Sequence, residues 1–214
     1  SELAPLQTGV ADPAGNAALI AAGTRLGEAF LLRVNGHVLA RASEGGHADF
    51  AARTPREHEL AEDLARRHGR VATERVVCGR GIASLYRFTH RHADLSTCPA
   101  VVAGNVDTVK PEDVTASALQ NRCAACVEAL QMFVDAYGAE AGNLALRAVA
   151  RAGVYLGGGI APKILPALID GRFMRAFLDK DPFRDFLSKV PVKVILNHDA
   201  GLLGAAIAAG QDIH

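Results

Sequence analysis

Several stretches of this sequence set polar side chains beside glycines in patterns that could grip a small ligand. Glu44-Gly45-Gly46-His47-Ala48-Asp49-Phe50 places a carboxylate and an imidazole on either side of two glycines. Such a pair suits a ligand with neighbouring hydroxyls, because each hydroxyl both donates and accepts; the plainer reading is a polar turn with a solvated histidine. Asp49 reads as a turn or cap residue. Ala22-Gly23-Thr24-Arg25-Leu26-Gly27 is a tight link that is either a simple hairpin or a phosphate cradle built from backbone amides and a threonine hydroxyl. In Gly153-Val154-Tyr155-Leu156-Gly157-Gly158-Gly159-Ile160-Ala161-Pro162, a short apolar strand runs into three glycines before a helix. A nucleotide can lie flat against such backbone, although the spacing is not the dinucleotide fingerprint. Glu74 opens a helical segment, where an acid ordinarily complements the helix N-terminus. Cys123 and Cys126 have the spacing of half a zinc site, with His90 and His92 available in a loop. No second close cysteine pair accompanies them, so they are expected to be small buried hydrophobes and no metal is expected.

The elements that must position these residues follow from periodicity. Residues 1–16 read as irregular lead-in. Residues 17–22 and 26–34 read as strands, and Asn35-Gly36 is a hairpin-turn signal before residues 37–42 return. Thr54-Pro55 opens a helix that Gly69 ends. Further helices are expected from Thr73, from Gly79-Arg80-Gly81 and from Pro111. Residues 90–110 lack periodicity and read as a long loop. The longest helix is expected over residues 123–149, with Val127, Leu130, Val134, Tyr137, Ala141, Leu144 and Ala148 on one stripe. Gly138 and Gly142, one turn apart on it, would admit a close neighbour. Residues 153–156 and 193–196 read as strands, with helical segments between them and a final small-residue helix over 201–209. Strand–glycine–helix units of this kind make the chain α/β.

Composition excludes other classes. Of 214 residues, 23 are Lys or Arg and 23 are Asp or Glu, so no net field argues for nucleic acid or an anionic membrane. Trp is absent and aromatics are 5%, too few for base-stacking platforms. No apolar run approaches the roughly 20 residues that cross a bilayer. Four unevenly spaced cysteines suit a reducing cytoplasm better than a disulfide framework.

Taken in order, Gly23-Thr24 with Leu26-Gly27, residues 44–50, Glu74-Arg75-Val76, Gly79, Gly81, Leu85-Tyr86-Arg87, residues 142–146, Gly153-Val154-Tyr155, Gly158-Gly159-Ile160, Pro162 and Gly201-Leu202-Leu203-Gly204 resemble bacterial glucokinases of the non-repressor type. The resemblance implies an actin-like, ribonuclease-H-like fold, with a mixed sheet flanked by helices and a helix-rich insertion. It implies two domains with the active site in the cleft between them, of which residues 1–214 match the large C-terminal one. Carried over, Glu44, His47 and Glu74 match the sugar contacts, Gly23 and Thr24 the phosphate loop, and Gly158 and Gly159 the stretch beside the nucleoside. The activity implied is transfer of the ATP γ-phosphoryl, with Mg²⁺, to the 6-hydroxyl of glucose in a cytoplasmic homodimer. The general-base Asp is expected in an N-terminal domain that this chain lacks, so the chain alone is expected to be inactive. Arg25 stands where the family favours Gly, and Cys78-Gly79-Arg80-Gly81 replaces Ser-Gly-Pro-Gly; a left-handed backbone at Arg25 would cost about 1–2 kcal/mol. A sugar-sensing regulator and a degenerate kinase-like domain are the competing readings.

Overall fold

Residues at Ala17–Ala22 are buried or half-buried throughout, which suits the interior of a sheet rather than its edge. The computed structural model describes residues 2–93, 98–100 and 109–211. Its strands β1 (Leu3–Gln7), β2 (Ala17–Ala22), β3 (Leu26–Val34), β4 (His37–Ser43), β5 (Gly153–Gly157) and β6 (Val192–Ile195) form one sheet in the order β1-β6-β5-β2-β3-β4. β2 runs parallel to β5, and β5 to β6, while the β2–β3, β3–β4 and β1–β6 pairs are antiparallel. The β3–β4 turn has both central residues, Asn35 and Gly36, at positive φ, as a two-residue hairpin requires.

The helices are α1 (Pro55–His68), α2 (Gly79–Thr89), α3 (Pro111–Leu119), α4 (Ala124–Ala148), α5 (Leu165–Ile169), α6 (Arg172–Leu178), α7 (Arg184–Lys189) and α8 (Ala200–Gln211). The first four stand between β4 and β5 as the expected insertion. Thr54 and Glu57 close a reciprocal capping box at the start of α1, and Gly69 ends it. α4 packs against β2 and β5 and buries Leu130, Val134, Tyr137, Ala141, Leu144 and Ala148 of the expected stripe. They meet Ala18, Ile20, Ala22, Val154, Leu156 and Val194 in one core. The Tyr137 hydroxyl donates to the Ile20 carbonyl at 3.3 Å, so this buried hydroxyl is satisfied. α6 lies directly on α4: a Cβ at Gly138 would stand 2.3 Å from the Phe173 carbonyl oxygen, and one at Gly142 2.6 Å from that of Phe177. The two glycines therefore set the distance between the helices.

Two expectations need correction, and a third is untested. Residues 3–7 are not lead-in but the edge strand β1, whose partner β6 lies nearly 190 residues away in sequence. Pro5 is tolerated there because an edge strand leaves some amides unpaired. The helix expected from Thr73 is a single 3₁₀ turn, Thr73–Arg75. The long loop expected over residues 90–110 falls largely outside the described residues.

α4 ends on Val149, which holds φ 48 and is 53% exposed. A β-branched residue is unfavourable in the left-handed region, where glycine is the usual helix terminator. Val149→Gly is expected to raise the free energy of unfolding by about 1 kcal/mol in urea titrations; a loss of stability would show that the strain is not there.

Candidate functional site

Two short turns build the first half of the site. Glu44 leads into the 3₁₀ turn Gly45–His47, in which the Gly45 amide donates to Ser43 Oγ at 2.9 Å. A Cβ on Gly45 would stand 2.1 Å from a Glu28 carboxylate oxygen, and one on Gly46 2.6 Å from the Leu26 carbonyl. These glycines let the turn lie on β3; close approach, not flexibility, is their role. The second turn, Thr73–Arg75, is laced to the first: the Thr73 amide donates to the Ala48 carbonyl at 2.9 Å, and the Phe50 amide to Val71 at 2.9 Å. The lacing brings residues from the forties and seventies to one place.

His47 and Glu74 accordingly share the wall of a cavity of about 290 Å³, with Arg25, Arg70, Ala72, Arg75, Cys78 and Arg80. Glu74 Oε2 accepts from the Leu26 amide at 3.0 Å, which anchors the carboxylate to the β2–β3 link. Glu44 is not in that wall. Its side chain is 93% exposed, with its carboxylate 3.9 Å from His47 Nε2. Of the three expected sugar contacts, two converge and the third stands at their rim. Asp49 takes an Arg70 guanidinium hydrogen bond at 2.7 Å, in keeping with a local role. Arg25, Arg75 and Arg80 make no ion pair among the described residues, so the cavity is cationic and suited to an anionic group. Burial pushes the Cys78 thiol up, which keeps it protonated and unreactive.

The second half gathers around the β2–β3 link. The Gly79 amide, at the start of α2, donates to the Gly23 carbonyl at 2.8 Å, and the Ile160 amide donates to Ala22 at 3.3 Å. These bonds frame a cavity of about 410 Å³ lined by Gly23, Thr24, Gly159 and Lys163, with the starts of α2 (Gly79, Arg80) and α3 (Pro111, Glu112, Thr115). Gly158, at φ 82 and packed on Ala22, instead lines a neighbouring cavity of about 330 Å³ behind it, with Asn197 and His198. The two glycines expected beside a nucleoside thus face different spaces, and Gly159 borders both. Arg80 borders both the 290 Å³ and the 410 Å³ cavities. The non-glycine residues at positive φ among the described residues are Asn35, Asn121 and Val149, so the strain envisaged at Arg25 does not arise. Sequence reasoning missed Lys163 and Glu112, which sit one or two positions beyond recognisable signals and acquire meaning only once α3 and the β5–α5 loop face each other.

The cysteine pair is also less isolated than its spacing suggested. His90, at the end of α2, and Cys98 lie against Cys123 and Cys126.

Comparison with known proteins places this architecture. The glucokinase family model matches residues 1–212. A glucokinase of Nostoc sp. is 40% identical over 98% of this chain, which spans 65% of that relative's length. The crystal structure of glucokinase from an Antarctic psychrotroph superposes with a TM-score of 0.83 at 31% identity, over 96% of this chain and 61% of that one. A ROK family glucokinase from Streptomyces griseus, solved with glucose and AMPPNP, shares the fold at a TM-score of 0.65 and 18% identity, over 94% of this chain and 62% of its own.

Beneath the Glu44–His47 turn, Glu28 is buried on β3 with neither carboxylate oxygen hydrogen-bonded among the described residues. Burial, seconded by Glu140, pushes it up to about 7, while Arg147 at 3.9 Å pulls the other way. The folded state therefore holds this proton after the unfolded chain has released it near 4.5. Its contribution to stability is intact below that value and declines as pH rises towards about 7, by roughly 3 kcal/mol in all. Glu28→Gln is expected to flatten the decline in thermal melts across this range; identical pH profiles for the two proteins would overturn the assignment.

Proposed function

This chain belongs to the glucokinase family, and from that premise we propose that the protein containing it transfers the ATP γ-phosphoryl to the 6-hydroxyl of glucose. The observation that carries the reading is the shared wall: Arg80 borders both the cavity with His47 and Glu74 and the cavity with Gly23, Thr24 and Gly159. A group passing from one ligand to the other would pass beside its guanidinium.

In this arrangement Glu74, held by the Leu26 amide, and His47 read the sugar's hydroxyls, and Glu44 joins them when the cleft closes. A wrong epimer would leave one of these acceptors unpaired, which is how such a site discriminates. The nucleotide occupies the 410 Å³ cavity, within the range of small-molecule sites. Thr24 and the backbone of Gly23 face its phosphates, and Gly159, with open space where a Cβ would be, admits the nucleoside. Lys163 and Arg80, in the wall of that cavity, balance phosphate charge, with Arg25 on the sugar side of the link next to Thr24. Mg²⁺ would be carried mainly by the phosphates themselves, with Glu112 as the carboxylate in that wall, and would neutralise charge on the transferring group. Transfer chemistry of this kind depends on positioning and charge stabilisation, which these residues supply.

The general base belongs to a companion N-terminal domain, and residues 1–214 form the large C-terminal one. Supporting this, Glu74 is tied to backbone, Glu44 is exposed, and the chain spans 65% of its Nostoc relative. The apolar residues Leu202, Leu203 and Ile207 on α8 are exposed, as a face covered by another domain would be. A cytoplasmic setting fits four free cysteines, and a homodimer rests on the resemblance alone. The degenerate reading rested on Arg25 and Arg80; Arg80 borders the nucleotide cavity and Arg25 the adjoining one, where the acceptor end of the transfer lies.

In the complete protein, Glu74→Gln and Glu44→Gln are each expected to raise the Kd for glucose about tenfold or more by calorimetry, since a charge-assisted hydrogen bond is weakened. Unchanged affinity with unchanged Tm would remove these residues from the site. Arg80→Ala is expected to lower kcat about 10–100-fold with glucose affinity kept within about threefold; a loss confined to glucose binding would place Arg80 on the sugar alone.

A further inference from the structure

We propose that His90, Cys98, Cys123 and Cys126 form a structural zinc site. The four potential ligand atoms lie within 4.8 Å of one another. His90 Nε2 is 3.4 Å from Cys123 Sγ and 3.9 Å from Cys126 Sγ, and the sulfurs of Cys98 and Cys126 are 3.6 Å apart. With Zn–S about 2.3 Å and Zn–N about 2.0 Å, the edges of a regular tetrahedron would be about 3.5–3.8 Å. The measured separations bracket that range. They are much longer than the roughly 2.05 Å of a disulfide.

The surroundings are those of a ligand set. His90 Nδ1 meets the Tyr86 carbonyl at 2.8 Å, which fixes the proton on Nδ1 and leaves the Nε2 lone pair facing the sulfurs. The Tyr86 ring stacks on the imidazole at 3.8 Å between centroids and holds its plane. Three thiolates around one divalent cation carry a residual negative charge, and donors stand ready for it. The Tyr86 hydroxyl donates to Cys98 Sγ at 3.7 Å. The buried Ser117 hydroxyl, without a hydrogen-bond partner among the described residues, lies beside Cys126. His90, Cys98 and Cys126 are at most 5% exposed and Cys123 is half-buried, so four protein ligands close the sphere and no position is left for a reacting water. Cysteine and imidazole donors in tetrahedral array favour zinc over the hard cations.

Its position gives the site a purpose. It joins the end of α2 to the start of α4 across the chain that carries α3, and α3 supplies Pro111, Glu112 and Thr115 to the 410 Å³ cavity. A metal here would pin one wall of that cavity from behind. The inference rests on the cluster alone and does not require the glucokinase reading.

Elemental analysis of the protein purified under reducing conditions is expected to find about one zinc per chain. Replacement by Co²⁺ is expected to give thiolate charge-transfer absorption and the intense visible bands of tetrahedral cobalt. Cys126→Ser should lose the metal, whereas Cys78→Ser, remote from the cluster, should keep it. If Cys126→Ser does not fold, His90→Cys should retain cobalt with a shifted spectrum; an unshifted spectrum would remove His90 from the ligand set. A reduced wild-type protein without bound metal and with Cys98, Cys123 and Cys126 open to alkylation would overturn the site. So would a Cys98–Cys126 disulfide in that protein.

Discussion

The candidate site hangs on the short link between β2 and β3. The Ala22 carbonyl accepts from the amide of Ile160, the Gly23 carbonyl from Gly79 at the head of α2, and the Leu26 amide holds the Glu74 carboxylate. Two distant parts of the chain, residues 74–79 and the loop after β5, are thereby fastened to five consecutive residues. Because β2 is a central strand, paired with β3 on one side and β5 on the other, the link itself has little freedom. It also lies at the carboxyl end of β2, where open α/β sheets characteristically leave a crevice for ligands.

Charge is distributed around that link with a consistent sense. On its outer side Arg25, Arg75 and Arg80 stand without carboxylate partners among the described residues, so the protein holds a field suited to phosphate. Glu74 is the carboxylate in the wall they line, and its Oε2 is engaged by the Leu26 amide; beneath the neighbouring turn Glu28 is buried, which raises its affinity for a proton well above the usual carboxylate range. Burying the charged form would require a partner that the geometry provides only weakly, with Arg147 at 3.9 Å already committed to Glu140 at 2.8 Å. The turn carrying Glu44 and His47 thus rests on an acid that burial keeps protonated below about pH 7.

Rigidity elsewhere has the same origin, contact at the level of the backbone. Gly138 and Gly142 bring α6 onto α4, and α4 in turn covers β2 and β5. The cluster at the head of α4 is a second fixing point on the same helix. One end of α4 is tied through Cys123 and Cys126 towards α2, while its middle is held by the sheet and α6. Since α2 and α3 open into the larger cavity, the placement of α4 is felt at the site without touching it.

Much of this was written locally. The Asn35-Gly36 turn, the Thr54 capping box, the α4 stripe and the glycine run after β5 depend on neighbours within a few residues, and sequence alone determined them. So did the ordered set of motifs that marks the family. The rest required partners that only folding brings together. β1 exists because β6 pairs with it from the far end of the chain. Gly45 and Gly46 serve close packing on β3, a role no spacing rule distinguishes from flexibility. Burial, which no local pattern announces, raised the proton affinity of Glu28. Arg80 became a shared wall because two cavities meet at α2. The ligand geometry of Cys98 and His90 around Cys123 and Cys126 arose from three-dimensional approach across more than 20 residues in each case, since hydrogen bonds, desolvation and metal coordination act over a few ångströms of space and are indifferent to distance along the chain.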